Sequence, residues 1–217
     1  MKSDNSVAFI CYDIETGGLN ENKNPIIELA FLPLVRNKKG ALEVKENLGF
    51  ETLIIQPYDN KLVIEASALK ANNIKEEDIN KYGNTIEDIK VTFENMIKIL
   101  NPKNNDKLKP ILVGHNIGRF DNKFLRKFFN DNGFRNIEYY FSEAFIDTYA
   151  EARRLFDGDA RIQSLSLGNL CNYFGIELKG AHRAYNDCKA NAELFLLWTK
   201  MFEMNRKKIL DLNKNNK

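Results

Sequence analysis

The sequence predicts an α/β fold built on a mixed sheet with flanking helices. Three observations carry this. The first quarter holds apolar, β-branched and aromatic segments parted by turn residues. From residue 85 onward the apolar period becomes helical. Short apolar runs at residues 111–113 and near Ile146 then alternate with helical segments, which requires crossovers and parallel pairing. A chain of 217 residues supports one well-buried core and is short for two.

Residues 7–15 read as a strand, ended by Thr16-Gly17-Gly18. Residues 26–35 form a second strand, Asn37-Lys38-Lys39-Gly40 a turn, and a third strand lies between Ala41 and Gln56, giving an antiparallel meander with short turns. Thr85 caps a helix whose stripe is Ile86, Ile89, Phe93, Ile97 and Leu100. A helix over 120–129 follows the strand at 111–113. Another starts from Ser164 or Ser166, carries Leu167, Leu170, Cys171 and Phe174, and stops at Gly175. The last helix runs over residues 184–202. We divide the chain into a domain at 6–203 and a basic C-terminal tail at 204–217.

Hydrophobic residues make up 43% of the chain and charged residues 29%, the profile of a globular domain in water. No apolar run reaches 18 residues, so no membrane partner is expected. The first six residues contain no apolar targeting core. Cys11, Cys171 and Cys188 form no metal-ligand spacing, and an odd, scattered set indicates free thiols and a cytoplasmic setting. The net charge of +2 means that any positive surface for nucleic acid must be local.

Asp13 and Glu15 are two apart on a strand, so their carboxylates share one face at its end. Asp187 begins a stripe with Ala190, Leu194, Leu197 and Met201, which turns a carboxylate toward the core. The residues alone leave two readings of it: charge stabilisation near a helix N-terminus, or a metal ligand. Asp121 starts a helix just past a strand end in the same way. The two histidines, His115 and His182, each precede such an Asp. His182 belongs on the loop entering its helix, and a histidine beside acids suits a general base. Four gathered carboxylates repel one another, and divalent cations reverse this. All-oxygen ligation selects Mg²⁺ or Mn²⁺, and two such ions form the clamp used for in-line attack on phosphodiesters.

These residues resemble the DEDDh 3′→5′ exonucleases, a family that includes the proofreading subunits of bacterial DNA polymerases, RNase T, oligoribonucleases and Trex-like nucleases. Asp13-Ile14-Glu15-Thr16-Gly17-Gly18-Leu19 resembles the first motif, His115-Asn116 through Phe120-Asp121 the second, and His182-Arg183-Ala184-Tyr185-Asn186-Asp187 the third. The second motif is one residue longer than the commonest form, and Gly17 stands where Thr is more usual. The resemblance implies a ribonuclease H-like fold and two-metal hydrolysis (two Mg²⁺, with Mn²⁺ substituting) that releases nucleoside 5′-monophosphates. It implies Asp13, Glu15, Asp121 and Asp187 as ligands and His182 as general base. It further implies that the terminal nucleotide meets Thr16, Gly17 and Leu19, with Asn116 and Phe120 as substrate or supporting positions. Asp147 matches a structural acid at a strand end, and Asn72-Asn73-Ile74 a segment flanking the terminal base.

The expected substrate is a single-stranded DNA 3′ end. RNA is the alternative, and a non-catalytic nucleic-acid-binding or complex-forming module on the same fold is the alternative of another class. A polymerase or other complex acting in trans and a homodimer are both compatible with the resemblance. Arg119, Lys123, Arg126, Lys127, Arg153, Arg154, Arg161, Lys179 and Arg183 are the cations available to phosphates, unless they are only solvated faces.

Overall fold

The computed structural model describes residues 6–57, 61–180 and 183–215. Its sheet is mixed. Strand β1 (Phe9–Thr16) pairs antiparallel with β2 (Ile26–Arg36), joined by a loop over residues 17–25 rather than a short turn. The expected third strand is two strands. β3 (Leu42–Val44) and β4 (Phe50–Leu53) pair antiparallel with the same edge of β2, separated by a 3-10 turn over Glu46–Leu48. The turn packs Leu48 against the core. Gly49 then lets the chain return to β2, since a Cβ there would lie 2.9 Å from the Phe31 carbonyl oxygen.

Helices α1 (Ala66–Ala71) and α2 (Glu76–Tyr82) follow, too short and too polar to show a helical apolar period in the sequence. α3 (Ile86–Leu100) begins at the Thr85 cap and buries Ile89, Phe93, Met96, Ile97 and Leu100. β5 (Ile111–Gly114) pairs parallel with β1. After α4 (Asp121–Asp131) and α5 (Ile137–Tyr140), β6 (Phe145–Asp147) pairs parallel with β5, completing the order β3-β2-β1-β5-β6 with β4 also on β2. α6 (Thr148–Phe156) leads to α7 (Leu167–Phe174), which starts at the Ser166 cap and ends at Gly175 with φ +69°, as the sequence predicts. The final helix α8 (Ala184–Asn215) continues well past residue 202, so the segment expected as a tail is helical as far as it is described.

Alternation along β1 sorts its side chains between two layers. Ile10, Tyr12 and Ile14 join Leu29, Phe31, Phe93, Phe129 and Phe141 in a large, aromatic-rich core. Cys11 faces the other way, with Ala30, Leu32, Leu34 and Val113, against Ala184, Cys188, Ala192 and Phe195 of α8. Asp13 and Glu15 continue this second face toward the carboxyl end of β1. Among the described residues, no helix is long and apolar enough to cross a membrane.

Candidate active site

The four acids arrive from three elements: Asp13 and Glu15 from the end of β1, Asp121 from the first residue of α4, and Asp187 from the first turn of α8. Asp13, Glu15 and Asp187 each bring one carboxylate oxygen within 4.8 Å of the other two. Asp121 is outside that tight group, yet it is the largest neighbouring charge acting on Asp13. Burial, then the charges of Asp121, Asp187, Glu15 and Glu28, hold the Asp13 carboxyl well above the ordinary carboxylate range. Burial also pushes Glu15 up to about 8, with Asp187, Glu28 and Asp121 adding and Arg183 opposing. Asp121 is pushed up to about 7 by burial, against its helix-start backbone hydrogen bond, with Asp147 adding. A crowd of buried carboxyls that ionise reluctantly is a set of oxygen donors whose repulsion a divalent cation relieves, so the residues present fit a hard metal ion.

Beyond Glu15 the β1–β2 register slips, and Thr16 stands opposite Ile26 across an irregularity. Such bulges redirect a strand at its end. The Thr16 hydroxyl donates to the Gly18 carbonyl at 2.7 Å, and the Thr16 carbonyl accepts from Asn72 Nδ2 at 3.1 Å, which brings the 72–74 segment beside the first motif. Gly18 leaves room for Asn24, whose side chain would lie 2.4 Å from a Cβ at this position. Asn24 holds the loop: its Oδ1 accepts from the Asn20 amide at 3.0 Å, and its Nδ2 donates to the Val63 carbonyl at 2.9 Å and to Glu65 at 3.1 Å. Leu19 projects from this braced loop and is 85% exposed, an apolar side chain placed in solvent on a fixed backbone.

Asp147 fixes the other side. Its carboxylate accepts from the amides of Asn116 (2.8 Å) and Gly118 (3.0 Å) and from Tyr149 at the start of α6 (3.0 Å). Asn116 is in the left-handed region, φ +64°, a turn-forming role that Asn tolerates. The longer second motif is thereby taken up as a turn, with Ile117 buried in the core. Phe120 packs its ring 4.8 Å from that of Phe124 and is half-buried against the core. Asn122, next to Asp121, accepts from the buried Tyr12 hydroxyl at 2.5 Å, which ties α4 to β1.

His115, whose role the sequence leaves open, is a strut. A carbonyl only accepts, so its Nε2 donates to Leu165 O at 2.9 Å, and its Nδ1 lies 3.0 Å from Thr148 Oγ1. Burial lowers its pKa, which favours the neutral ring. His182 lies outside the described residues.

The cations divide sharply. Arg183, expected among the phosphate contacts, is instead bound to Glu28 and Glu51. Arg126 pairs with Glu138, Lys127 with Asp131, Arg154 with Glu151, Arg161 with Asp159 and Lys179 with Glu177. Among the described residues, Arg119, Lys123 and Arg153 carry no ion pair. Glu28 itself escaped the sequence reading. Its signal was there: one acid inside the otherwise apolar run Ile26-Ile27-Glu28-Leu29-Ala30-Phe31.

Residues 10–195 match the family model described as Exonuclease (RNase T). The chain is 29% identical over 189 residues to the DNA polymerase III subunit epsilon of Treponema pallidum, covering 87% of this chain and 75% of that protein. It is likewise 29% identical over 192 residues to the Ribonuclease T of Shewanella frigidimarina, covering 87% and 80%. In fold it is similar to Escherichia coli Exonuclease I solved with a dT13 oligonucleotide, with a TM-score of 0.69 at 16% identity. That match covers 95% of this chain and 43% of the other, so the chain spans less than half the length of that solved protein.

Proposed function

The chain belongs to the exonuclease family, and from that premise we propose that it hydrolyses the terminal phosphodiester at the 3′ end of single-stranded DNA, releasing nucleoside 5′-monophosphates. The observation that carries this is the convergence of Asp13, Glu15 and Asp187 within 4.8 Å, with Asp121 beside Asp13. These four carboxylates would hold two divalent cations, Mg²⁺ by preference and Mn²⁺ in its place. When bound, such ions supply charge neutralisation of the scissile phosphate and activation of the attacking water. His182 adjoins Arg183 in the chain and serves as general base, accepting the proton of that water.

The protein's own surface does the rest. The backbone at Thr16 and Gly17, braced by Asn72, Asn24 and the Gly18 contact, receives the terminal sugar. Leu19 offers its exposed apolar side chain to the last base, a contact indifferent to sequence. Asn116 and Phe120 act mainly by supporting the loop that carries Asp121. Arg119, Lys123 and Arg153 are the cations left to meet backbone phosphates. We take residues 6–203 as the catalytic unit and 204–217 as a basic C-terminal extension. The three buried, unpaired cysteines favour a reducing, cytoplasmic setting. A polymerase acting in trans is a partner suggested by the epsilon relative.

The RNA reading rests on equal identity to a Ribonuclease T. One experiment separates the readings: a product time course on 5′-labelled and 3′-labelled DNA and RNA of matched sequence, with Mg²⁺ or Mn²⁺. Stepwise shortening of 5′-labelled DNA, faster than of RNA, is expected. Faster shortening of RNA transfers the assignment to the alternative. Binding without shortening of either, in both metals, leaves a non-catalytic module.

A further inference from the structure

Asp187 meets Asp13 and Glu15 only if α8 begins at one depth and one rotation. Much of the interface that seats α8 is smooth: Ala184, Cys188 and Ala192 against Cys11 and Ala30. Small apolar side chains give close approach and little resistance to a shift along the helix axis. The contacts at the start of α8 are polar. Glu28 of β2 stands directly opposite Glu15 of β1 in the register and is 0% exposed. Its Oε1 accepts from Arg183 Nη2 at 2.8 Å and Nε at 3.0 Å, and its Oε2 accepts from the backbone amide of Ala184 at 3.0 Å. The carbonyl of Arg183 in turn accepts from the amide of Asp187 at 3.1 Å. Glu51 of β4 meets the same guanidinium nitrogen, Nη2, at 3.4 Å.

A carboxylate at this place opposes the site electrostatically, because Glu28 adds to the negative charge felt by Asp13 and Glu15. Buried ion pairs contribute little net stability, and apolar replacements are often neutral or better. What a guanidinium–carboxylate fork supplies is direction as well as distance.

We propose that the Glu28–Arg183 pair is a positioning device for the reaction: it fixes the first turn of α8 so that the Asp187 carboxylate falls on Asp13 and Glu15. This inference rests on the exonuclease reading of the site.

The test compares the parental protein with Glu28→Gln and Arg183→Lys by three measurements: Mn²⁺ titration without nucleic acid followed by electron paramagnetic resonance, kcat and KM at saturating metal, and Tm. Arg183→Lys keeps the charge and removes the fork, so it isolates geometry, and its partly exposed side chain lets it decide the question if Glu28→Gln folds poorly. For Glu28→Gln the expected result is about tenfold weaker Mn²⁺ binding and a kcat roughly 10–100-fold lower, with KM within about threefold, the scale of orienting partners around metal ligands. Arg183→Lys should fall between it and the parent. Unchanged Mn²⁺ affinity and kcat in Arg183→Lys overturn the positioning role while leaving the site intact. A raised KM at constant kcat also overturns it, since Arg183 would then be touching substrate. A parental protein that neither binds Mn²⁺ nor cleaves overturns the reading of the site itself, and the positioning role with it.

Discussion

The two faces of the sheet are built of opposite materials. On the α3–α4 face, Phe31, Phe93, Phe129, Phe134, Tyr140 and Phe141 interlock, with Phe129 and Phe134 centred 4.6 Å apart and Phe93 edge-on to Phe129 at 5.1 Å. On the α8 face the middle of the interface is Cys11, Ala30, Ala184, Cys188 and Ala192, and the Cys188 sulfur sits 3.6 Å from the Ala30 carbonyl oxygen. Large rings keep elements well separated and bury much apolar area. Small side chains let a helix lie close to the strands. An Asp side chain is short, so Asp13 and Asp187 can share a ligand only across the thin interface. The large aromatic core lies on one face, and Asp13, Glu15 and Asp187 gather on the other.

The strongest attack on this division is Asp13→Asn. It should lower kcat by about 10³-fold or more, equivalent to roughly 4 kcal/mol of barrier. Tm should hold or rise, because a buried, crowded acid has gone. Activity within tenfold of the parent would remove Asp13 from the machinery.

Phe93→Ala tests the opposite face and should cost about 3–5 kcal/mol in urea unfolding, as large-to-small core changes do. Its kcat at a temperature where it remains folded should be near the parental value. A cost under about 1 kcal/mol would mean the ring cluster is not the main source of stability.

Ala30→Leu thickens the thin face directly opposite Asp13. Overpacking should cost about 1–3 kcal/mol. Unlike Phe93→Ala, it should also weaken Mn²⁺ binding, because α8 is lifted from β1. Parental Mn²⁺ affinity in this variant would show that close helix approach is not needed.

The smallest effect is a pH dependence. Glu15 and Asp121 have folded-state values near 8 and 7, raised above the ordinary 4.5 and 3.8. The folded state therefore holds protons that the unfolded state releases. Their contribution to metal-free stability is complete below the unfolded values and declines as pH rises from about 4 through 8. A cation that needs the ionised carboxylates should bind more tightly over the same window. At pH 8, Mg²⁺ at about tenfold over its Kd adds roughly 1.4 kcal/mol, a Tm gain of roughly 3–6 °C for a chain of this size. At pH 6 the same concentration should give less. A larger gain at pH 6, measured by thermal melts, would contradict the assignment of buried acids as ligands.

Long, repetitive signals were legible in the sequence. The strand at 7–15, the Thr85 and Ser166 caps, the Gly175 stop and the stripe led by Asp187 all depend on neighbours a few residues away. What was not legible depends on distance. The third strand divides because Leu48 turns into the core and Gly49 passes close to Phe31, contacts that exist only after β2 is in place. Glu28 and Arg183 lie 155 residues apart, so nothing local marks them as partners. His115 resembled His182 in its sequence setting, yet Thr148 and Leu165 convert it into a strut. Asp147 emerged through family likeness, and the structure supplies its physical task, holding the amides of Asn116 and Gly118.

The interrupted edge of the sheet has a consequence for the molecule in crowded solution. β1 and β2 are eight and eleven residues long, whereas the edge strands β3, β4 and β6 have three, four and three. Among the described residues, a neighbouring chain seeking to extend the sheet therefore finds only short runs of backbone groups, broken on one side by the Glu46–Leu48 turn. The hydrogen-bonding capacity of the long central strands is turned inward. Short, interrupted edges of this kind disfavour use of the sheet as a template for fibrous growth.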